Sequence, residues 1–190
     1  MWQITLIAPQ YPGGITMYIW INQITGSTPS TLQNINILNH YIGMKFIEPD
    51  SIPELHYFRF IVIALVVLGL ATALTGNKKL YFAWTLLLIV LCAAGIYDFY
   101  LWEYDYGHNL SPTAPIKFPG MVYQPPLFGK KNLLNFVAKS YPYIGGWIVG
   151  LSILSGIVAF WLPNKSKKKY EKVSTSPIGS TVSKRVRVEA

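Results

Sequence analysis

Three apolar stretches constrain this chain more than any other feature: Phe58 to Gly76, Leu80 to about Leu101, and Tyr143 to Leu162. Their charges, Arg59 and Asp98, stand near the ends, and the interiors have none. Each stretch approaches the roughly 20 residues, at 1.5 Å rise, that a helix needs to cross a bilayer. Tyr57, Tyr97, Tyr100, Trp102, Tyr143 and Trp161 lie where aromatic belts form, and Arg59 is placed to snorkel. With 52% hydrophobic and 13% charged residues, the composition falls in the membrane class. The pattern predicts three transmembrane helices.

Charge sets the expected orientation. The tight turn Asn77-Lys78-Lys79 carries two positive charges, and the third span runs through Pro163 into Lys165, Lys167, Lys168 and Lys169. Cytoplasmic loops are enriched in Lys and Arg, so the turn and the tail are expected in the cytoplasm. Residues 1–57 and 102–142 then lie on the extracytoplasmic side of a cell inner membrane, with the N-terminus outside and the C-terminus inside. A 57-residue region translocated without a signal peptide ahead of it is odd, and the abrupt apolar start Met1-Trp2-Gln3-Ile4-Thr5-Leu6 leaves open an internal start with a further helix before it.

The net charge of +8 is mostly a tail effect, because residues 163–190 hold eight basic and two acidic side chains. That segment, rich in Ser, Thr and Lys, reads as a disordered cytoplasmic tail in contact with anionic membrane lipids. Nucleic acid is an improbable partner, since the tail interleaves no aromatics beyond Tyr170. The single cysteine, Cys92, lies inside an apolar run and permits neither an intrachain disulfide nor a paired-thiolate metal site.

The fold class that follows is an α-helical membrane protein of three transmembrane helices with a small extracytoplasmic α+β region. Residues 1–57 form that region, 58–162 the membrane domain with its loop 102–142, and 163–190 the tail. Trp2 to Ala8 and Ile15 to Thr25 read as two strands separated by Pro9, Pro12, Gly13 and Gly14. Ser30 or Thr31 is placed to cap a helix from about Leu32 to Tyr41, with Gly43 near its end. The loop 102–142 is broken by prolines and is expected to hold a short helix at Lys131 to Ala138.

Two constellations carry candidate chemistry. His40-Tyr41-Ile42-Gly43-Met44 places an imidazole and a thioether four residues apart, a soft pair suited to copper. Its bland alternative is a histidine bonded within a turn and a packed methionine. The second is Tyr97 to His108, where Asp98, Glu103, Asp105 and His108 crowd the end of an apolar run. Carboxylates with a histidine hold divalent cations or take part in acid-base work. The same residues otherwise pair with Lys117, Lys130 or Lys131, and Asp98 caps the helix end. Met121 offers a further thioether, although a single methionine is more often packing. Gly146-x-x-x-Gly150 and Ser152-x-x-x-Gly156 read as close helix packing. There is no Cys-x-x-Cys-His, no Gly-x-Ser-x-Gly and no phosphate-binding loop, and the uncharged spans make a poor ion pathway.

The strings Ala8-Pro9-Gln10-Tyr11-Pro12, Leu38 to Met44, Tyr97 to His108 and Pro119 to Pro126 resemble a small uncharacterised family of membrane proteins associated with bacterial gene clusters for nitrous oxide reductase and its copper maturation. The resemblance covers roughly residues 2–160 and omits the tail; members of that family begin with a further hydrophobic helix before the Trp2-like position, from which this sequence departs. It implies copper handling outside the cytoplasm. The leading expectation is a non-enzymatic, membrane-anchored accessory protein that binds copper transiently and delivers it to a periplasmic metalloenzyme or its assembly. His40 and Met44 are expected to meet one or more of Glu103, Asp105 and His108 at one site, with a protein partner on the extracytoplasmic side. The rivals are a metal-free structural or assembly subunit using the aromatic loop, and a membrane enzyme using Glu103, His108 and a divalent metal.

Overall fold

The computed structural model describes residues 1–161. The expectations for 163–190, including the Lys165 to Lys169 run, lie outside the described residues. The described chain is a multi-pass membrane protein by the length and composition of its helices. Three of them are long and apolar enough to cross a bilayer: α2 (Pro53–Thr75), α3 (Lys78–His108) and α4 (Ile144–Trp161). They project from a head made of one five-stranded antiparallel sheet and the helix α1 (Thr31–Ile42).

The sheet has the order β3-β2-β1-β5-β4, from β1 (Trp2–Ala8), β2 (Tyr11–Ile19), β3 (Ile24–Gly26), β4 (Gly129–Leu133) and β5 (Phe136–Pro142). Its central pair joins β1 to β5, with Ile4 opposite Ser140 and Leu6 opposite Ala138, so the N-terminal region and the segment after α3 build one sheet. Alternation does the sorting: Ile4, Leu6 and Ala8 of β1, Ile15 and Met17 of β2, and Phe136 and Ala138 of β5 turn inward, as a two-residue side-chain period demands. Trp2 Nε1 donates to Ser140 Oγ at 2.6 Å and fastens β1 to β5 at the edge of that core.

Helix α1 lays Thr31, Ile35, Asn39 and Ile42 against the sheet, a spacing that keeps one helical face inward. It ends at Gly43, whose left-handed φ of +80° forms the stop that glycine permits at low steric cost. The Asn36 side chain then clamps Ile47 from both sides, accepting from its N–H at 2.7 Å and donating to its carbonyl at 3.1 Å. That clamp turns Ile47 into the core.

Several expectations are corrected here. Residues 131–138 form no helix; they belong to the β4–β5 hairpin, which turns through Leu134 at φ +55°. The apolar spacing misled because Leu134 is exposed at the turn, which masks the alternation of Leu133, Phe136, Ala138 and Ser140. Ile15 to Thr25 splits into β2 and β3 around a turn closed by Trp20 N–H to Gln23 oxygen at 2.9 Å, and β2 already begins at Tyr11. Asp98 caps nothing, because α3 continues to His108.

The length of α3 matters most for the site. Its 31 residues extend about 46 Å at 1.5 Å per residue, well beyond a hydrocarbon core of roughly 30 Å. The apolar portion to Leu101 accounts for the crossing. The remaining turns rise into the head, where Trp102 and Tyr106 join the sheet and α1 in one core. Below, α3 meets α4 where Gly156 lies against Thr85, and meets α2 where Trp84 Nε1 donates to the Leu65 carbonyl at 3.0 Å. The Gly76-Asn77 turn therefore sits at the end of the bundle away from the head.

Candidate functional site

Glu103 is the most unusual side chain in the described residues. It is 0% exposed, and neither carboxylate oxygen has a hydrogen-bond partner. Buried polar groups are nearly always bonded, and a bare buried carboxylate is costly, so this one calls for a proton or a bound cation. Burial alone pushes its carboxyl pKa up to about 8. Helix α3 delivers the carboxyl to the head core because Trp102, Glu103 and Tyr106 share the side of the helix that faces the sheet and α1.

Glu103 opens on a small cavity of about 40 Å³. A water molecule or a bare metal ion fits such a volume, but an organic ligand does not. Its wall includes Met17 from β2, Met44 from the segment after α1, Asn39 from α1, and the rings of Trp102, Tyr106 and Tyr123. Asn39 Nδ2 donates to the Lys45 carbonyl at 3.2 Å, and the Asn39 backbone oxygen accepts from Met44 N–H at 2.9 Å. Those two bonds hold Met44 against the cavity. Tyr106 is committed, donating from its hydroxyl to the Phe46 carbonyl at 2.9 Å. The groups left to meet a guest are a carboxylate, two thioethers, the Asn39 amide oxygen and aromatic faces.

The six residues singled out from the sequence separate. Met44 and Glu103 line this cavity; His40, Asp105, His108 and Met121 do not. His40 is exposed on α1, with its ring against Tyr41 and Phe46. Asp105 accepts from Lys45 Nζ at 2.6 Å and from Asn109, and the Lys45 bond is the first cause that holds its carboxyl below the usual range. His108 stacks on Tyr104, with Nδ1 2.9 Å from the Tyr104 carbonyl. Met121 is exposed, and its sulfur accepts from the Tyr123 hydroxyl at 3.9 Å. Among the described residues, no three of His, Cys, Asp and Glu gather closely enough to hold a metal ion. Of the expected convergence, Met44 and Glu103 share this cavity, and His40 and His108 stand outside its lining.

Two cavity residues escaped the sequence reading. Met17 occupies an inward position of β2, two residues from Ile15, and only that alternation marked it. Asn39 is a polar residue on the buried face of α1, which was its signal. No family model, no curated protein and no solved structure matches the chain.

Proposed function

We propose that this chain is a membrane-anchored accessory protein whose head takes up a single Cu(I) ion at Glu103, with Met17 and Met44 as thioether ligands, for transient holding and delivery to a periplasmic metalloenzyme or its assembly partner. The observation that carries this reading is the unpartnered Glu103 carboxylate in a cavity that two of the chain's four methionines also line. Thioethers are soft ligands that favour Cu(I) over harder ions. A monovalent cation beside one carboxylate makes a neutral pair, which an apolar interior tolerates better than a net charge. Lys78 and Lys79, at the end of the bundle away from the head, support a cytoplasmic turn and an extracytoplasmic head.

The test is retention of Cu(I) by the purified full-length protein in detergent, without oxygen, against a chromogenic Cu(I) chelator. One equivalent should be held, the Met17→Leu/Met44→Leu double variant should lose it, and His40→Ala should keep it. No retention by the parent chain, or retention unaffected by the double substitution, favours the metal-free assembly subunit. The exposed Tyr97, Tyr100 and Tyr104 on α3 would then be its contact surface.

A further inference from the structure

Glu103 has no exposed atom, so a guest reaches it only when part of the wall moves. A second cavity, of about 340 Å³, opens beneath residues 110–119. It is walled by Leu110, Ala114, Ile116 and Phe118 among others, with Lys117 as its charged residue. Two residues, Ile42 and Tyr123, line both cavities and thus form the partition between them.

The two halves of that partition are held differently. Ile42 is the last residue of α1, and the chain around it is tied down: Ser111 N–H donates to the Gly43 carbonyl at 2.7 Å, and Ile116 N–H to the Tyr41 carbonyl at 2.9 Å. Tyr123 has a fixed backbone, since its N–H donates to the Gly107 carbonyl at 3.0 Å. Its ring is 2% exposed, yet among the described residues its hydroxyl bonds only the Met121 sulfur, a weak acceptor at 3.9 Å. Swinging that ring about its own side-chain bonds breaks no strong hydrogen bond and leaves the backbone in place.

We infer that the surface cavity is the access channel to Glu103 and that the Tyr123 side chain is its gate, which admits a soft cation to the inner pair Met17 and Met44. The inference rests on Glu103 being a ligand-binding group. Opening the gate also frees the Met121 sulfur.

The test uses a chemical probe that does not depend on copper. In a full-length Cys92→Ser background, Glu103→Cys places a thiol in the inner cavity, and its alkylation by iodoacetamide reports access. Tyr123→Ala should speed alkylation by about tenfold or more, as expected when local opening limits the rate, while Ile35→Ala, on another wall of the cavity, leaves it within about twofold. Equal acceleration by both, or none by Tyr123→Ala, overturns the gate. Should Glu103→Cys fail to fold, Met17→Cys reports the same cavity under the same comparison. Gated alkylation without Cu(I) retention leaves the channel standing and removes the copper reading; Cu(I) retention with ungated alkylation does the reverse.

Discussion

Glu103 and Asp105 stand two residues apart on α3 and meet opposite surroundings. Asp105 accepts from Lys45 Nζ at 2.6 Å in partial solvent, whereas Glu103 is turned into the head core with no donor in reach. Two residues along a helix rotate a side chain by about 200°. The same acidic cluster therefore supplies one surface ion pair and one buried, unpaired carboxyl. Exposed pairs such as Lys45 and Asp105 add little stability, about 1 kcal/mol at most, so the pair serves mainly to tie the segment after α1 to α3.

The buried carboxyl makes the head pH-sensitive. With its folded pKa raised to about 8 from an ordinary value of 4.5, Glu103 binds its proton more tightly in the folded than in the unfolded chain. The stabilisation is complete below pH 4.5 and is lost as pH rises through 8. Thermal unfolding of the metal-free head, followed by tryptophan fluorescence in detergent, should shift to lower temperature between pH 6 and pH 9. Glu103→Gln should flatten that slope, and a parent chain that gained stability with rising pH would contradict the assignment.

Gly107 is expected to tolerate no side chain. A Cβ there would overlap the backbone of Gln124, which runs directly across α3 and positions Tyr123. Gly107→Ala should destabilise the head by about 1–3 kcal/mol, the usual range for forced overpacking. Gly95→Ala on the same helix meets open space and should stay within about 0.5 kcal/mol. Comparable denaturation midpoints for the two variants would count against this packing.

In the bundle, Gly156 and Gly150 belong to the same small-residue pattern on α4 but differ in surroundings. A Cβ on Gly156 would overlap the Thr85 side chain, while one on Gly150 meets nothing within 4 Å. Close helix approach depends on small residues only where backbones touch. Gly156→Leu should lower the detergent-extracted protein's melting temperature by several degrees more than Gly150→Leu; the reverse order would show that α4 packs on α3 through another face.

Orientation is tested with single cysteines in a Cys92→Ser chain. Ser27, at the head, and Asn77, in the turn at the other end of the bundle, should react with a membrane-impermeant thiol reagent from opposite sides. Labelling of Ser27→Cys alone in intact spheroplasts is the expected result, and labelling of Asn77→Cys alone would invert the topology.

The sequence by itself determined the three spans, the first strand, and α1 with its glycine stop. Each follows from a local rule: uninterrupted apolar length, two-residue alternation, or a left-handed residue at a helix end. Residues 131–138 were misread because a turn residue, Leu134, carries an apolar side chain that local pattern cannot tell from a helix face. What only the tertiary structure decided is which acidic residue is buried without a partner and what lines the cavity beside it. Whether Glu103 or Asp105 faces the core depends on the rotation of α3 against a sheet whose strands β1 and β5 pair Trp2 with Pro142 and Ile7 with Val137, from opposite ends of the described chain. Met17, Met44 and Glu103 line one cavity only because that sheet, α1 and the upper turns of α3 close on one core. No local spacing encodes such a meeting, since it arises from long-range packing.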